Sequence, residues 1–211
     1  MKDNGAFSFR VELSMSCPRC DNPVPVDGPV GKAWCPHCGG TVEIERSYWI
    51  EQLGEAVDEM RNTPVGEGSG SMFFGTNRGN LTLGRLDPYC DSCKTDFANP
   101  WDLEPGIYTC SSCGTRWPVS PPPSWLSQAV PSILQLINAV LEREGEEAAA
   151  PAYSEPVSLS CPSCSGNLEL DGSSRLVRCG YCGSQVYLPD SVWMKLHGGR
   201  RKRRWFVVCS G

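Results

Sequence analysis

The chain has 211 residues, of which 22 are glycine, 18 are proline and 40% are hydrophobic, and this composition argues against one large hydrophobic core. No apolar run approaches the roughly 18 residues that cross a membrane, and the N-terminal segment lacks the features of a secretory signal, so we expect a soluble, cytoplasmic protein with no membrane span. The formal net charge is −5, but the last 21 residues hold six cations and no acidic residue, which predicts an acidic body followed by a basic tail.

Cysteine is the most informative residue type, because twelve of the thirteen cysteines form six C-x-x-C pairs. The pairs group into three quartets with internal gaps of 14, 16 and 14 residues, close to the roughly 15 to 20 residues that are typical of a four-thiolate zinc site. The sequence therefore predicts three zinc ions per chain and favours metal binding over disulfides. The predicted ligands are Cys17, Cys20, Cys35 and Cys38; Cys90, Cys93, Cys110 and Cys113; and Cys161, Cys164, Cys179 and Cys182.

Each quartet is predicted to fold as a zinc ribbon, in which a β-hairpin joins two metal-binding knuckles. The stretch "FRVEL" before Cys17 alternates as a strand does, and Asp-Gly at 27–28 and at 171–172 is a hairpin signal at matching positions of two quartets. Four sulfurs complete a tetrahedral site and leave no open position, so the expected role is structural. A ribbon of about 35 residues buries too little apolar surface to fold without metal.

A short helix is predicted after each ribbon, with a tryptophan near its start. The expected capping residues are Ser47, Ser124 and Asp190 or Ser191, and the tryptophans are Trp49, Trp125 and Trp193. We expect each indole to pack on its own ribbon rather than to stack on a ligand. The first helix is predicted over 47–61, and the third is predicted to have only one or two turns.

The second helix is predicted to start at Trp125, to be interrupted at Pro131 and to continue through an apolar stretch. This stretch, "ILQLINAVL", is more apolar than a small ribbon can cover, which favours an exposed surface for a partner. The predicted docking residues are Ile133, Leu136, Ile137, Val140 and Leu141.

The predicted fold class is a small, metal-stabilised α+β protein, in which linkers join three zinc-ribbon modules with their helices. The predicted divisions are 7–62 for the first ribbon and helix, 63–80 for a Gly-rich linker, 81–144 for the second ribbon and helix, 145–156 for an acidic, Ala-rich linker, 157–197 for the third ribbon and helix, and 198–211 for the basic-aromatic tail. Because linkers separate the modules, loss of one zinc site is expected to unfold one ribbon.

The quartets resemble the four-cysteine zinc ribbons of transcription factor IIB, of RNA polymerase subunits and of many bacterial proteins of unassigned role. The resemblance rests on "CPRC…CPHCGG", "CDSC…CSSCG" and "CPSC…CGYCGS" and covers about 110 of the 211 residues. The closing phrase "YCGSQVYLPDSVWMKLH…RRWFVV" is similar to one in bacterial multi-ribbon proteins and implies no activity. The resemblance implies zinc ligation by the twelve cysteines, but no single function, because ribbons bind nucleic acid, bind proteins or serve as structural supports.

Catalysis is the least supported class of function. His37 lies inside a knuckle, His197 lies near the basic tail, and neither histidine has a motif partner. Redox enzymes place a single C-x-x-C pair at a helix start and do not arrange pairs in quartets. We therefore expect a protein that is not an enzyme.

Two non-enzymatic functions remain, and a protein-binding adaptor is favoured because three rigid modules would offer separate contact surfaces. The alternative is a nucleic-acid-binding or transcription-associated protein that uses the tail, where cations adjoin aromatic residues. The residues predicted for that role are Arg200, Arg201, Lys202, Arg203, Arg204 and Trp205. The expected partner is thus another protein or, through the tail, a nucleic acid; the sequence predicts no oligomeric state.

The tail also has two structural interpretations. "RRWFVV" could be a last strand whose Trp205 and Val207 pack inward, or the cations could lie against the acidic body. Cys209 belongs to no quartet, and we expect it to be a small buried hydrophobe rather than a reactive thiol.

Overall fold

The computed structural model describes residues 5–73, 78–142, 158–170, 174–189, 192–193, 196 and 204–211. These residues form a small α+β fold that consists mostly of strands. The strands are β1 (Phe7–Ser16), β2 (Pro23–Val26), β3 (Lys32–Trp34), β4 (Thr41–Glu43), β5 (Gly68–Phe73), β6 (Gly79–Gly84), β7 (Gly106–Thr109), β8 (Arg116–Ser120), β9 (Ile133–Ile137), β10 (Leu159–Ser160), β11 (Asn167–Leu168), β12 (Leu176–Arg178), β13 (Gln185–Tyr187) and β14 (Trp205–Cys209). The helices are α1 (Arg46–Asn62) and α2 (Ser124–Ala129).

An eight-stranded antiparallel sheet has the order β5-β6-β1-β14-β9-β8-β7, and β2 also pairs with β1. β1 is ten residues long, and its alternate side chains from Val11 to Met15 are buried, as expected for a strand with one face on a core. β6 pairs with one side of β1, whereas β14 and β2 pair in succession with the other side. The other described strands form the hairpins β3–β4, β10–β11 and β12–β13.

The three quartets lie on different parts of this arrangement. We call residues 7–44, with β1–β4, the first unit; residues 88–120, with β7 and β8, the second unit; and residues 159–188, with β10–β13, the third unit. β1 and β2 of the first unit and both strands of the second unit belong to the eight-stranded sheet, whereas β3, β4 and the hairpins of the third unit do not. The third unit has its own small hydrophobic cores, around Leu168 and around Trp193.

β14 lies at the centre of the sheet, between β1 and β9. Its five residues are all buried, and their side chains alternate between two cores. Trp205, Val207 and Cys209 belong to the core that α1 forms with the first unit, whereas Phe206 and Val208 belong to the core of the second unit. A strand with two buried faces is apolar at every position, as in "WFVVC". The interpretation of the tail as a last strand with Trp205 and Val207 packed inward is confirmed.

The shared sheet corrects the prediction that the first two ribbons are separate modules. β5 and the start of β6 lie in the predicted linker 63–80, and β14 lies in the predicted tail 198–211. The Gly-rich segment forms strands because its backbone pairs with β1 through β6, a contact that local composition does not reveal. The predicted linker 145–156 lies outside the described residues.

The apolar stretch after Pro131 is a strand and not the predicted helix. α2 ends at Ala129, and β9 then pairs with both β14 and β8. A short run such as "ILQLI" suits a buried strand and a buried helix equally well, so the pairing partners decide between them. The predicted docking residues consequently face the interior, which corrects that prediction: Ile133, Leu136 and Ile137 are buried, and Val140 and Leu141 are partly buried against the first core.

α1 agrees with the predicted first helix to within one residue at each end. Its buried stripe consists of Trp49, Leu53, Ala56, Val57 and Met60. The predicted cap at Ser47 is wrong, because Glu45 holds the N-cap position and no side chain caps the helix. Ser124 is likewise the first helical residue of α2, and Asp190 and Ser191 lie outside the described residues. In the part of the chain that the structure describes, no helix is long and apolar enough to cross a membrane.

Of the three tryptophans predicted near the helix starts, two pack on their own units. The indole nitrogen of Trp49 donates to the carbonyl of Val30 at 2.8 Å, and Trp193 is buried beside the third unit. Trp125 instead packs against the first core, because α2 follows the sheet toward α1. Trp49 also packs edge to face against Trp205, with 6.3 Å between the ring centroids. The first helix therefore packs on β14 as well as on its own unit.

Replacing Trp205 by alanine tests whether β14 holds the first two units together. Trp205 is fully buried, and truncation of a buried tryptophan lowers the free energy of unfolding by about 3–5 kcal/mol. We expect the amides of β1 and β8 to lose hydrogen-exchange protection together. Val65→Ala, at an exposed residue, is the control and should change stability by less than about 0.5 kcal/mol. Loss of protection in one unit alone would contradict the prediction.

Candidate metal centres

Each of the six C-x-x-C pairs lies in its own short loop, and the six loops have the same backbone hydrogen bonds. In the first loop, the amide of Cys17 donates to the carbonyl of Asn22 at 2.9 Å, and the amide of Asp21 donates back to the carbonyl of Cys17 at 2.8 Å. The same two bonds recur in the loops that begin at Cys35, Cys90, Cys110, Cys161 and Cys179. One local backbone geometry therefore presents the sulfurs at every centre.

The loops lie within hairpins, and this corrects the predicted arrangement in which a hairpin joins two knuckles. The first loop, for example, lies between the paired strands β1 and β2, and the next lies between β3 and β4. No ladder joins β2 to β3 among the described strands, although Asp27 and Gly28 lie between them. These two residues meet the chain after β9 instead: Val140 donates its amide to the carbonyl of Asp27 at 2.8 Å, and a Cβ on Gly28 would lie 2.2 Å from the carbonyl oxygen of Val140.

The fourth residue after the first cysteine of each loop has a left-handed backbone. In the second loop of each unit this residue is glycine: Gly39, Gly114 and Gly183, with φ of 68°, 72° and 74°. In the first loop of each unit it is another residue: Asp21, Lys94 and Ser165, with φ of 59°, 63° and 59°. Because this conformation costs a side-chain-bearing residue about 1–2 kcal/mol, three of the loops are strained locally and must be held by their surroundings.

The four sulfurs of each quartet converge on one point. All ligand atoms of a quartet lie within 4.8 Å of one another, and the closest sulfur pairs, such as Cys17 with Cys38, are 3.5 to 3.7 Å apart. Zinc–sulfur bonds of about 2.3 Å in a tetrahedron place the sulfurs about 3.8 Å apart. All thirteen cysteines are free of disulfides. The protein thus has three four-cysteine groups that could hold a metal ion, and their thiolate chemistry suggests zinc.

The proton affinities of the thiols differ strongly within one quartet. Burial raises the pKa of Cys35 to about 12. Burial acts to raise the pKa of Cys20 as well. Hydrogen bonds from the side chain and amide of Asn22, together with those of the Cys38 and Cys35 thiols, outweigh burial and lower this pKa to about 6. In the third quartet, the hydroxyl and amide of Ser184 likewise lower the pKa of Cys182 to about 6. A zinc ion would displace the remaining protons and neutralise two of the four thiolate charges.

Four sulfurs fill a tetrahedral coordination sphere, and this determines what the centres can do. A closed four-thiolate site has no open position for water or substrate, so an ion bound there would stabilise structure rather than act on a substrate. The first cysteine of every loop is buried, so each four-sulfur group is shielded from solvent on the side that faces the protein interior. The arrangement can therefore fix the relative positions of two loops that are about 15 residues apart in sequence.

Of the six residues predicted to bind nucleic acid, the structure describes two, Arg204 and Trp205. Trp205 is buried in β14, and Arg204 forms ion pairs with Glu12 at 3.4 Å and with Asp91 at 3.3 Å. Arg200, Arg201, Lys202 and Arg203 lie outside the described residues. Arg204 thus joins β1 to the first loop of the second unit, and the sequence offered no signal for this role because its partners are far away along the chain.

Arg175 connects the third unit to the first, and sequence reasoning missed it. Its guanidinium donates to the backbone carbonyl of His37 at 2.6 Å and lies 5.2 Å from the ring centre of Trp193. His37 lies between two cysteines of the first quartet, so this contact reaches the metal-binding loop itself. No motif marks Arg175, because its partner is a backbone group.

None of the protein-family models, curated proteins or solved structures compared with this chain matches it. The similarity to four-cysteine ribbons consequently remains one of sequence motifs.

The thirteenth cysteine takes no part in these centres. Cys209 is buried at the end of β14, and burial raises the pKa of its thiol to about 12. A neutral, inaccessible thiol packs as a small hydrophobe. The expectation for Cys209 is confirmed.

Zinc content is the direct measure of the three centres. Elemental analysis of protein prepared without added metal is expected to give about three zinc ions per chain, because each quartet provides a complete tetrahedral set of donors. Removal of the metal with a chelator should unfold the loops of all three units. A zinc content near one, or disulfides within the quartets in non-reducing mass spectrometry, would show that the assignment is wrong.

Gly114→Ala tests whether the left-handed residue is needed for metal binding. No atom lies within 4 Å of the Cβ that this change adds, so its cost is conformational, about 1–2 kcal/mol. We expect zinc binding at the second centre to weaken by roughly tenfold in competition with a chelator. Gly180→Ala is the matched control, because Gly180 has equally open surroundings and no left-handed backbone. Equal effects of the two changes would contradict this account.

Proposed function

We propose that this protein is a non-enzymatic, zinc-binding adaptor, in which three structural zinc ribbons present surfaces to other proteins. The closed four-sulfur geometry of the quartets supports a structural role for the metal. The proposal includes a cytoplasmic location, because a reducing compartment keeps the cysteines of the quartets free of disulfides and available to metal.

The outer faces of the ribbons provide the observation on which the proposal rests. In the first unit, Lys32 and Glu43 are cross-strand partners and form an ion pair at 3.3 Å. At the matching place in the third unit, Leu176 pairs with Tyr187, and these side chains are 49% and 62% exposed. The same position of one scaffold therefore carries a solvated ion pair in one unit and an exposed apolar pair in another.

The third unit exposes a second aromatic ring, on its last C-x-x-C loop. Tyr181, inside the last C-x-x-C loop, is 76% exposed. Its ring lies against Gly166, where a Cβ would be 2.6 Å from the ring. Rigid, exposed aromatic side chains lose little conformational entropy on binding and often dominate the energy of an interface. Leu176, Tyr181 and Tyr187, which we call the third-unit patch, are the proposed protein-binding surface.

Nucleic-acid binding is the second candidate, and one feature of the same hairpin favours it. Arg178 is exposed on β12 beside the third-unit patch, and cations interleaved with aromatic rings suit single-stranded nucleic acid. The net charge of −5, made more negative by zinc thiolates, opposes the approach of a phosphate backbone. We therefore rank protein binding first.

The double change Leu176→Lys and Tyr187→Glu tests the adaptor role by giving the third unit the ion pair of the first. The fold and zinc content should persist, because the first unit tolerates this pair. Proteins that co-purify with the wild-type chain from its native host after nuclease treatment should be lost with the variant and retained with Arg178→Gln.

Direct titration with labelled single-stranded DNA and RNA separates the two candidates. If nucleic acid were the partner, Arg178→Gln should weaken binding and reduce the slope of log affinity against log salt concentration by about one. Sub-micromolar binding of that kind, together with unchanged protein partners in the double variant, would show that the adaptor proposal is wrong.

A further inference from the structure

β5 is an outer strand of the eight-stranded sheet, and its backbone is open on one side. In the described part of the chain it pairs with β6 alone. The amide of Arg85 donates to the carbonyl of Glu67 at 2.8 Å, so the alternation of an antiparallel ladder turns the backbone groups of Gly68, Gly70 and Met72 toward the open side. Met72 is 69% exposed. An uncharged, open strand edge is a template for a further strand.

A groove of about 260 Å³ lies between this strand and α1. Its floor includes Ser69 and Ser71, which are paired in register with the buried Leu83 and Leu81. Small hydroxyl side chains on β5 leave the space beside the helix unfilled. The edge of the strand and the groove thus form one continuous, elongated surface.

The helix side of the groove is acidic. Glu55 and Glu59 line it, and Glu51 precedes them by one further turn of α1. Like charges four residues apart destabilise a helix, and none of the ion pairs formed among the described residues involves these three side chains. A local arrangement that disfavours the helix is consistent with a cationic group that arrives from outside.

We infer that β5 and α1 bind an extended segment of a partner protein that carries Lys or Arg at alternate positions. The segment adds to the sheet as a strand through the backbone of Gly68, Gly70 and Met72. Because alternate side chains of a strand point to the same face, every second residue would reach Glu55 and Glu59. This inference supplies partner chemistry for the adaptor role but uses no residue of the third-unit patch.

Charge excludes two other occupants of the groove. A nucleic acid would bring phosphates against the glutamates. A second copy of this chain, paired edge to edge through β5, would bring its own row of glutamates to the same interface. A basic peptide is the occupant that both the open backbone and the acidic wall favour.

The test is a titration of the full-length, zinc-loaded protein with a short labelled peptide of alternating lysine and threonine. Met72→Pro removes the outward amide and leaves the ladder to β6 intact, because proline is tolerated at an edge whose amide faces solvent. We expect it to weaken binding at least about tenfold, whereas Met72→Ala, which keeps the amide, should bind within about twofold of the wild type. The double change Glu55→Gln and Glu59→Gln should weaken binding and flatten its dependence on salt.

The controls separate strand addition from general attraction to an acidic protein. The Leu176→Lys, Tyr187→Glu variant should bind the peptide normally, so failure of the adaptor test and failure of this one are distinguishable. No binding of the lysine peptide, equal binding to Met72→Pro, or equal binding of a matching glutamate peptide or of single-stranded RNA would overturn the inference. If Met72→Pro loses zinc or folded structure, the glutamate double variant decides, because Glu55 and Glu59 are exposed and support no described contact across the core.

Discussion

Backbone hydrogen bonds from β14 to β1 on one side and to β9 on the other place five apolar side chains between two cores. Without this strand, β1 and β9 would present open edges, and the cores of the first two units would each lose one wall. Arg204 adds an electrostatic link at the same place, because it pairs with one carboxylate from each side of the junction. The relative position of the first two units therefore depends on the pairing of β1 with β14, whose residues are about 200 positions apart in sequence.

The fold is stabilised on two scales. Each C-x-x-C loop is closed by hydrogen bonds within six residues, and a metal ion would join two such loops across about 15 residues. These local constraints define each unit but do not orient one unit against another. Orientation comes from the sheet, whose pairing of Phe7 with Cys209 spans almost the whole chain. A metal ion would therefore hold the loops within one unit, whereas the sheet orients the first two units. The hairpins of the third unit lie outside the sheet, and its cores are small ones around Leu168 and Trp193.

One scaffold used three times carries three different outer surfaces. The position compared is the cross-strand pair that begins three residues before the third cysteine of each quartet. This pair is Lys32 with Glu43 in the first unit, Ile107 with Pro118 in the second and Leu176 with Tyr187 in the third. The three units share the cysteines and the buried positions, whereas the residues at this cross-strand position differ. Variation at solvated positions of a rigid scaffold is what separate binding surfaces require. The groove beside β5 belongs to a different part of the fold and is lined by the carboxylates of Glu55 and Glu59.

The metal centres were predictable because their geometry is local. Two cysteines separated by two residues face a common point whatever surrounds them, so spacing alone identified all twelve candidate ligands. α1 was equally predictable, since its apolar stripe repeats over four turns. The first loop of each unit was harder, because Asp21, Lys94 and Ser165 adopt a backbone conformation that sequence assigns to glycine.

The sequence by itself determined the elements whose physical cause lies within a few residues: the six loops, the four-sulfur groups and the first helix. Tertiary structure alone decided that "ILQLI" is a strand, that a glycine-rich segment forms the edge of a sheet and that β14 lies between β1 and β9. In each of these cases the local pattern fits more than one conformation. The conformation adopted is the one in which the backbone forms hydrogen bonds with strands that are distant in sequence. A local sequence pattern does not identify those strands.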